Sequence, residues 1–201
     1  RSATYTCNQA ARYLLFKNRK ALVVYRVNEC DERKGTRGIN KRIMREQRYA
    51  DHTVFISKWL QNLFCSQGLP AQGSSIILNG ASTNVFNSNG FVPWNGSGRL
   101  RIVTHHWGDD WLKGFDIYRR LDDMLDLPRF RKRIEFSFVG KLPKEFAFKN
   151  TRYIQPLSGD ALARVLRSNH VYLTASQNEP AGMHHIEGAL CGLPLLYRES
   201  G

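Results

Sequence analysis

Glu179 and Glu187 stand eight residues apart in Ser176-Gln177-Asn178-Glu179-Pro180-Ala181-Gly182-Met183-His184-His185-Ile186-Glu187, which continues as Gly188-Ala189-Leu190-Cys191-Gly192-Leu193-Pro194. Read as a helix from about Pro180 to Cys191, with a residue lacking an N–H in its first turn, the stretch separates the two carboxylates by about 12 Å along the axis and about 80° around it. That is too far to share one proton. It suits two hydroxyl-rich ends of one extended ligand, with an anion held between them on the free amides around Gly182 and Met183. Taken alone, the same pattern also fits an ordinary amphipathic helix with two surface glutamates.

Other chemistry-bearing residues are less telling. His105-His106 and His184-His185 are adjacent pairs, and neighbouring residues on a strand or helix do not face one ligand together. With no Cys nearby, the expectation is no metal. Asp109-Asp110 is adjacent rather than spaced as Asp-x-Asp, and Asp122-Asp123 reads as solvated surface. The glycines form neither a phosphate loop nor Gly-x-Gly-x-x-Gly, and no Gly-x-Ser-x-Gly elbow supports a serine hydrolase. Cys7, Cys30, Cys65 and Cys191 include no Cys-x-x-Cys pair, so free thiols in a reducing compartment, by default the cytoplasm, are expected.

The elements that position these residues alternate. Strands are expected at Ala21–Tyr25, Thr53–Ile56, Ser75–Leu78, Leu100–Thr104, Ile134–Val139, Thr151–Ile154 and His170–Thr174, each a short run between polar segments. Helices are expected at Lys41–Tyr49, Lys58–Cys65 with Ser57 as N-cap, Phe115–Leu125, and Ala161–Arg167 capped by Ser158 or Asp160. Asn28–Asn40, charged and Gly-containing, reads as a loop. The alternation implies βαβ units and a parallel sheet, an α/β fold with ligands at the carboxyl ends of the strands. Asn, Ser and Gly crowd the segment from Asn87 to Gly98, the best place for a domain boundary.

Glu179-Pro180-Ala181-Gly182 with Glu187 and the Gly188–Pro194 tail resembles the Glu-x7-Glu signature of GT-B fold retaining glycosyltransferases, above all the large family 4. Other segments agree in order: Ala50-Asp51 to Ser57, Ile77-Leu78-Asn79-Gly80 with Phe86, Lys113-Gly114, Phe138-Val139-Gly140 and Leu173-Thr174-Ala175-Ser176. The resemblance covers most of residues 50–201. It implies a GT-B type fold of two Rossmann-like parallel-sheet domains, both incomplete in this chain. Residues 1–88 correspond to the later part of the acceptor-side domain, 89–97 to a linker, and 98–201 to a nucleotide-sugar-binding domain truncated at its end.

The resemblance also implies roles. Glu179 would face the donor sugar and Glu187 the nucleotide ribose, and the amides of Gly182 and Met183 would face the sugar and diphosphate. Lys113 would neutralise the diphosphate, where a cation offsets charge developing on the leaving group. His184 would form a wall of the donor pocket. Two departures stand out. Where the family shows Gly-Arg, this chain has Thr104-His105-His106-Trp107-Gly108, so His106 or Trp107 takes that place and one positive charge is missing or supplied elsewhere. Where many members carry a histidine after the first-domain strand, this chain offers Arg26 and Asn28 on the acceptor side. The nucleotide base would sit near Gly140 or Ile154–Leu157. No metal or other cofactor is implied, the nucleotide-sugar being a co-substrate.

The 201 residues are 42% hydrophobic and 23% charged, an ordinary globular composition with a net charge of +13. No run approaches the roughly 18 apolar residues of a membrane span, and the first residues show no signal-peptide stretch. Residues 1–90 hold 14 basic and 5 acidic side chains. That balance suits a glycan, phosphorylated or lipid-linked acceptor and a peripheral contact with an anionic membrane at its inner face. Equal retention on neutral and anionic liposomes would count against the membrane contact. The leading expectation is a retaining, metal-independent glycosyltransferase. A nucleotide-sugar-binding module without transfer activity is the alternative. Nucleic-acid binding ranks last, because the basic half lacks an aromatic–basic reading motif.

Overall fold

The structure, a computed structural model, describes residues 7–200; the Cys7 thiol, expected free, lies outside the described side chains. The chain divides into two compact units. One takes the described residues up to Asn79 together with Asn178–Ala181, and the other takes Gly80–Gln177 and Gly182–Ser200.

In the first unit, α1 (Cys7–Phe16), β1 (Val24–Val27), α2 (Asp31–Lys34), α3 (Ile39–Gln47), β2 (His52–Phe55), α4 (Lys58–Ser66) and β3 (Ser74–Ile76) follow in order. The strands form a parallel sheet, β1-β2-β3, with Val27 opposite Phe55 and Phe55 opposite Ile76. The β-branched run around Phe55 supplies the core, where Phe55 and Ile56 meet Val27, Leu60 and Phe64. Ser57 caps α4 as expected, its Oγ accepting the Leu60 N–H at 3.2 Å. Residues 28–40, read as a loop, instead contain α2 and the start of α3. A polar cap builds this turn. The Asp31 carboxylate accepts N–H groups from Gly38, Ile39 and Asn40 at 2.9–3.0 Å, and Gly35 ends α2 at φ 61°.

In the second unit, β4 (Leu100–His106) leads through a 3-10 turn (Trp111–Lys113) to α5 (Phe115–Met124) and α6 (Pro128–Arg131). Then come β5 (Ile134–Gly140), β6 (Arg152–Ile154), α7 (Gly159–Arg167), β7 (Val171–Thr174), α8 (Met183–Leu190) and β8 (Leu195–Tyr197). All five strands are parallel, in the order β6-β5-β4-β7-β8. The chain runs outward from β4 to β6 and then returns to the other flank of β4. The switch point of the sheet therefore lies between β4 and β7, where crossovers leave in opposite directions and a crevice opens at the carboxyl ends. Successive strand residues enter opposite cores, as in a sheet covered on both faces. Val103, Val139 and Tyr172 pack with Leu162, Leu166 and Phe86, whereas Ile102, Phe138 and Leu173 pack with Phe115 and Tyr118.

Asp122 corrects the surface reading of the Asp122-Asp123 pair. It is 3% exposed. Its carboxylate accepts the N–H groups of Lys149, Asn150 and Thr151 at 2.8, 3.0 and 2.7 Å, with the Thr151 hydroxyl at 2.5 Å, and so pins the loop before β6. Asp123 does face solvent, 3.8 Å from Lys149 Nζ. Burial pushes the Asp122 pKa up, but the bonds from Thr151, Lys149 and Asn150 outweigh it and hold the carboxyl below its ordinary 3.8. A depressed acid stabilises the fold above its unfolded pKa and loses that contribution as pH falls through the folded value. Asp122→Ala should cost about 2–4 kcal/mol at pH 7, because charge-assisted bonds are lost and buried donors left unmade. Urea melts at pH 7 and pH 3 check it, with the gap between wild type and variant closing at the lower pH.

Cys30, Cys65 and Cys191 are free thiols, and burial pushes the Cys30 pKa up to about 11. Among the described residues, no helix is long and apolar enough to cross a membrane.

Candidate active site at the switch point of the second sheet

Three pieces of chain converge where β4 and β7 end. The first is the 3-10 turn Trp111–Lys113. Lys113 is 9% exposed, and the Gln177 N–H donates to the Leu112 carbonyl at 2.7 Å, tying this turn to the chain after β7. Gly114 follows at φ 94°, and a Cβ there would lie 2.5 Å from Ala175 Cβ and 2.6 Å from the Ala175 carbonyl carbon. Lys113-Gly114 is thus an inseparable pair: the glycine lets the turn sit against β7's end, and the turn presents the lysine.

The second piece is the end of β4. The His106 ring lies against Tyr118, 2.8 Å from Nε2 to the hydroxyl. That hydroxyl accepts the Ala175 N–H at 3.1 Å and lies 3.4 Å from Thr104 Oγ1. Burial, then the charge of Lys113, pushes the His106 pKa well below 6.5. His106 is therefore neutral and does not replace the missing arginine charge. Trp107 is 58% exposed and lines a shallow recess with His105, His106, Val139, Gly140, Pro156 and Leu157.

The third piece is α8, which begins at Met183, three residues later than expected. Gly182 is its N-cap with extended dihedrals, φ −68° and ψ 123°, so Pro180 lies outside the first turn. A side chain would not fit at this position. A Cβ on Gly182 would approach His184 Cε1 to 2.5 Å and Nδ1 to 2.8 Å. His184 is held there by its Nε2, 2.9 Å from Thr174 Oγ1. Its pKa falls well below 6.5 through burial and the neighbouring His106, and its ring meets that of His106 at 4.6 Å. Glu179 accordingly precedes the helix, and the helical spacing of 12 Å and 80° does not apply.

Glu187, one turn into α8, sits at the head of a bonded chain. The His105 N–H donates to the Tyr172 hydroxyl at 3.2 Å, that hydroxyl lies 3.1 Å from His105 Nδ1, and His105 Nε2 is 2.7 Å from Glu187 Oε2. Gly188 lets the helix lie on the Tyr172 ring, since a Cβ there would come within 2.5 Å of Cδ2. The second unit thus brings Lys113, His106, His184, Gly182, Met183 and Glu187 to one end of its sheet. Ser176 Oγ, beside them in sequence, is buried without a partner among the described residues.

The remaining candidates belong to the first unit. Glu179 Oε1 lies 3.2 Å from Arg33 Nε, and Arg33 Nη1 lies 2.6 Å from Glu29 Oε1. Asn178 Nδ2 donates to the Glu32 carbonyl at 3.2 Å, and Asn79 Nδ2 donates to the Ala181 carbonyl at 2.9 Å. Arg26, exposed on β1, donates to Asn79 Oδ1 at 2.6 Å, and Asn28 is half-buried just past that strand. Sequence reasoning missed His105, Tyr172 and Arg33. The polar pair closing the Leu100–Thr104 run was the available signal for His105; Arg33 had none.

No protein-family model and no curated protein sequence matches the chain. Solved structures do. HepE of Anabaena, solved with UDP and glucose, is 16% identical, and the superposition covers 96% of this chain and 56% of HepE at a TM-score of 0.72. Sucrose-phosphate synthase of Thermosynechococcus elongatus is 16% identical over 89% of this chain and 50% of its own, at 0.62. The pneumococcal O-GlcNAc transferase GtfA, solved with UDP and GlcNAc, is 14% identical over 95% and 40%, at 0.64. The fold is that of the GT-B glycosyltransferases. This chain spans just over half the length of HepE. Within the GT-B fold the five-stranded sheet is a Rossmann-like layer with its switch point between β4 and β7; the alternation of strands and helices anticipated the parallel sheet.

Proposed function

We propose that the chain belongs to a retaining, metal-independent glycosyltransferase whose donor, a nucleoside-diphosphate sugar, is held at the switch point of the second sheet. The observation that carries this reading is the pairing, at one sheet end, of a buried lysine with a carboxylate anchored by histidine. HepE, of the same fold, was solved with UDP and glucose, which supports a nucleotide-sugar as the ligand class. Glu187 would accept the ribose hydroxyls, and the Gly182 and Met183 amides would face the diphosphate at the opening of α8. Lys113 would offset the charge that grows on the diphosphate as the sugar departs. His106 and His184, neutral and buried, would exclude water and wall the pocket. The base would lie near Gly140 or Ile154–Leu157.

Glu179 would face the sugar, with Arg33 setting the orientation of its carboxylate. Arg26 and Asn28 lie on the unit read as acceptor-side. The basic balance of residues 1–90 favours a glycan, phosphorylated or lipid-linked acceptor, with peripheral contact at the inner face of an anionic membrane.

Calorimetry with UDP, GDP and ADP tests the donor site. One nucleotide should bind selectively, and Glu187→Ala should weaken it about 10–100-fold, the worth of a charge-assisted hydrogen bond or two. Indifference of the bound nucleotide to this substitution would remove Glu187 from the site. Nucleotide affinity without sugar transfer by the full-length protein would select a binding module instead.

A further inference from the structure

We infer that His105 is a positioning residue for the ligand carboxylate: it fixes Glu187 through Oε2 and turns Oε1 toward the nucleotide's ribose. The inference rests on the donor-site reading and adds to it a residue that the Glu-x7-Glu pattern does not contain. His105 is 3% exposed, and burying a polar ring costs free energy unless its nitrogens are hydrogen-bonded. Its ring bonds show what it does there. A carboxylate oxygen only accepts, so the 2.7 Å contact to Glu187 Oε2 requires the proton on Nε2. Nδ1, on the other side of the ring, lies 3.1 Å from the Tyr172 hydroxyl. The same hydroxyl accepts the His105 N–H at 3.2 Å. That hydroxyl also lies 3.3 Å from the His105 carbonyl oxygen, so backbone and tyrosine together hold the ring with Nε2 toward Glu187.

The chain ends on a single oxygen. Glu187 Oε1 has no hydrogen-bond partner among the described residues, while the side chain is 18% exposed. A glutamate has three rotatable bonds, and on a helix surface it would sample many directions. Held at Oε2 by a buried imidazole, it keeps one acceptor oxygen facing outward in a fixed place. Two vicinal hydroxyls are the group such an oxygen binds best, because both can donate to it or to its neighbour. Removing His105 should therefore erode ribose selectivity more than overall nucleotide affinity.

The test compares each nucleoside diphosphate that binds the full chain with its 2′-deoxy form, by calorimetry, and records the thermal midpoint of every variant. Wild type should favour the ribo form by about 10-fold, and Glu187→Ala should abolish that preference. His105→Ala should reduce it to about 2-fold, while His105→Gln, whose side-chain amide can place a donor near the Nε2 position, should restore most of it. Tyr172→Phe, which keeps the ring under Gly188 and deletes only the hydroxyl, should lower the preference by about 3-fold. This variant decides the matter if His105→Ala fails to fold. Unchanged selectivity in His105→Ala or in that substitute, with Glu187→Ala selective no longer, overturns the positioning role and leaves the donor site standing. Selectivity that survives Glu187→Ala overturns the ribose role itself, and absence of nucleotide binding overturns both.

Discussion

Lys113→Ala should lower sugar transfer by the full-length protein about 10²–10³-fold, the usual loss when a preorganised charge facing a developing anion is removed. The expectation follows from what surrounds the lysine. His106 and His184 are neutral, held so by burial and by the positive charge nearby. The Thr104–Gly108 segment contains no arginine. At this end of the sheet the diphosphate charge would thus be met by Lys113 and by backbone amides, and amides alone carry only partial charge. At 9% exposure the ammonium sits where solvent screens it weakly, which raises its effect on a bound anion. Lys113→Arg should recover part of the rate, since charge is retained but the fork must fit beside Gly108, where a Cβ would already lie 3.2 Å from Lys113 Cε. The readout is kcat and KM for the donor, with affinities for nucleoside mono- and diphosphate alongside. A transition-state role lowers kcat and also narrows the diphosphate preference. Unaltered turnover in Lys113→Ala would assign the diphosphate to other groups.

The neutral histidines also show where reading the sequence ends. Runs such as Thr53–Ile56, Leu100–Thr104 and Ile134–Val139 declare themselves as strands because the pattern of a sheet buried on both faces is contained in the run itself. Ser57 declares the start of α4 by the same locality. The opening of α8 does not. Pro180 satisfies the local rule for a first turn, yet the helix begins only after Gly182, where His184 is tied to Thr174 at the end of β7, a partner ten residues away. The polar turns of residues 31–40 are likewise built by one carboxylate rather than by a periodic apolar face. Asp122 looks solvated beside Asp123 until the loop at 149–151 folds over it. His105 is the clearest case for the site. Its type and place at a strand end are plain in the sequence, but its bond to Glu187 spans 82 positions. The family resemblance supplied the residues expected to touch a ligand; the side chains that hold those residues in place emerged only from the fold.

Gly114→Ala is the substitution expected to damage the second unit most. Two costs combine. At φ 94° an L side chain is strained by about 1–2 kcal/mol. The new methyl would also overlap Ala175, 2.5 Å from its Cβ, 2.6 Å from its carbonyl carbon and 2.7 Å from its carbonyl oxygen. Backbone atoms cannot swing aside as a side-chain tip can, so the 3-10 turn must move off β7, for a total of about 3–5 kcal/mol. Gly159→Ala separates the two terms. Gly159 has φ 56° and nothing within 4 Å of its Cβ position, so that variant bears the backbone strain alone, about 1 kcal/mol. Urea titration of both variants should therefore show a gap of at least about 2 kcal/mol, which is the worth of close approach rather than of handedness. Displacing the turn also displaces Lys113, its last residue. Nucleotide diphosphate affinity should consequently fall in Gly114→Ala, measured well below its melting midpoint, and stay at the wild-type level in Gly159→Ala. A destabilised Gly114→Ala protein that still bound the diphosphate at full strength would separate the lysine's position from the glycine beneath it, and the tight geometry of the turn would then serve the fold and not the ligand.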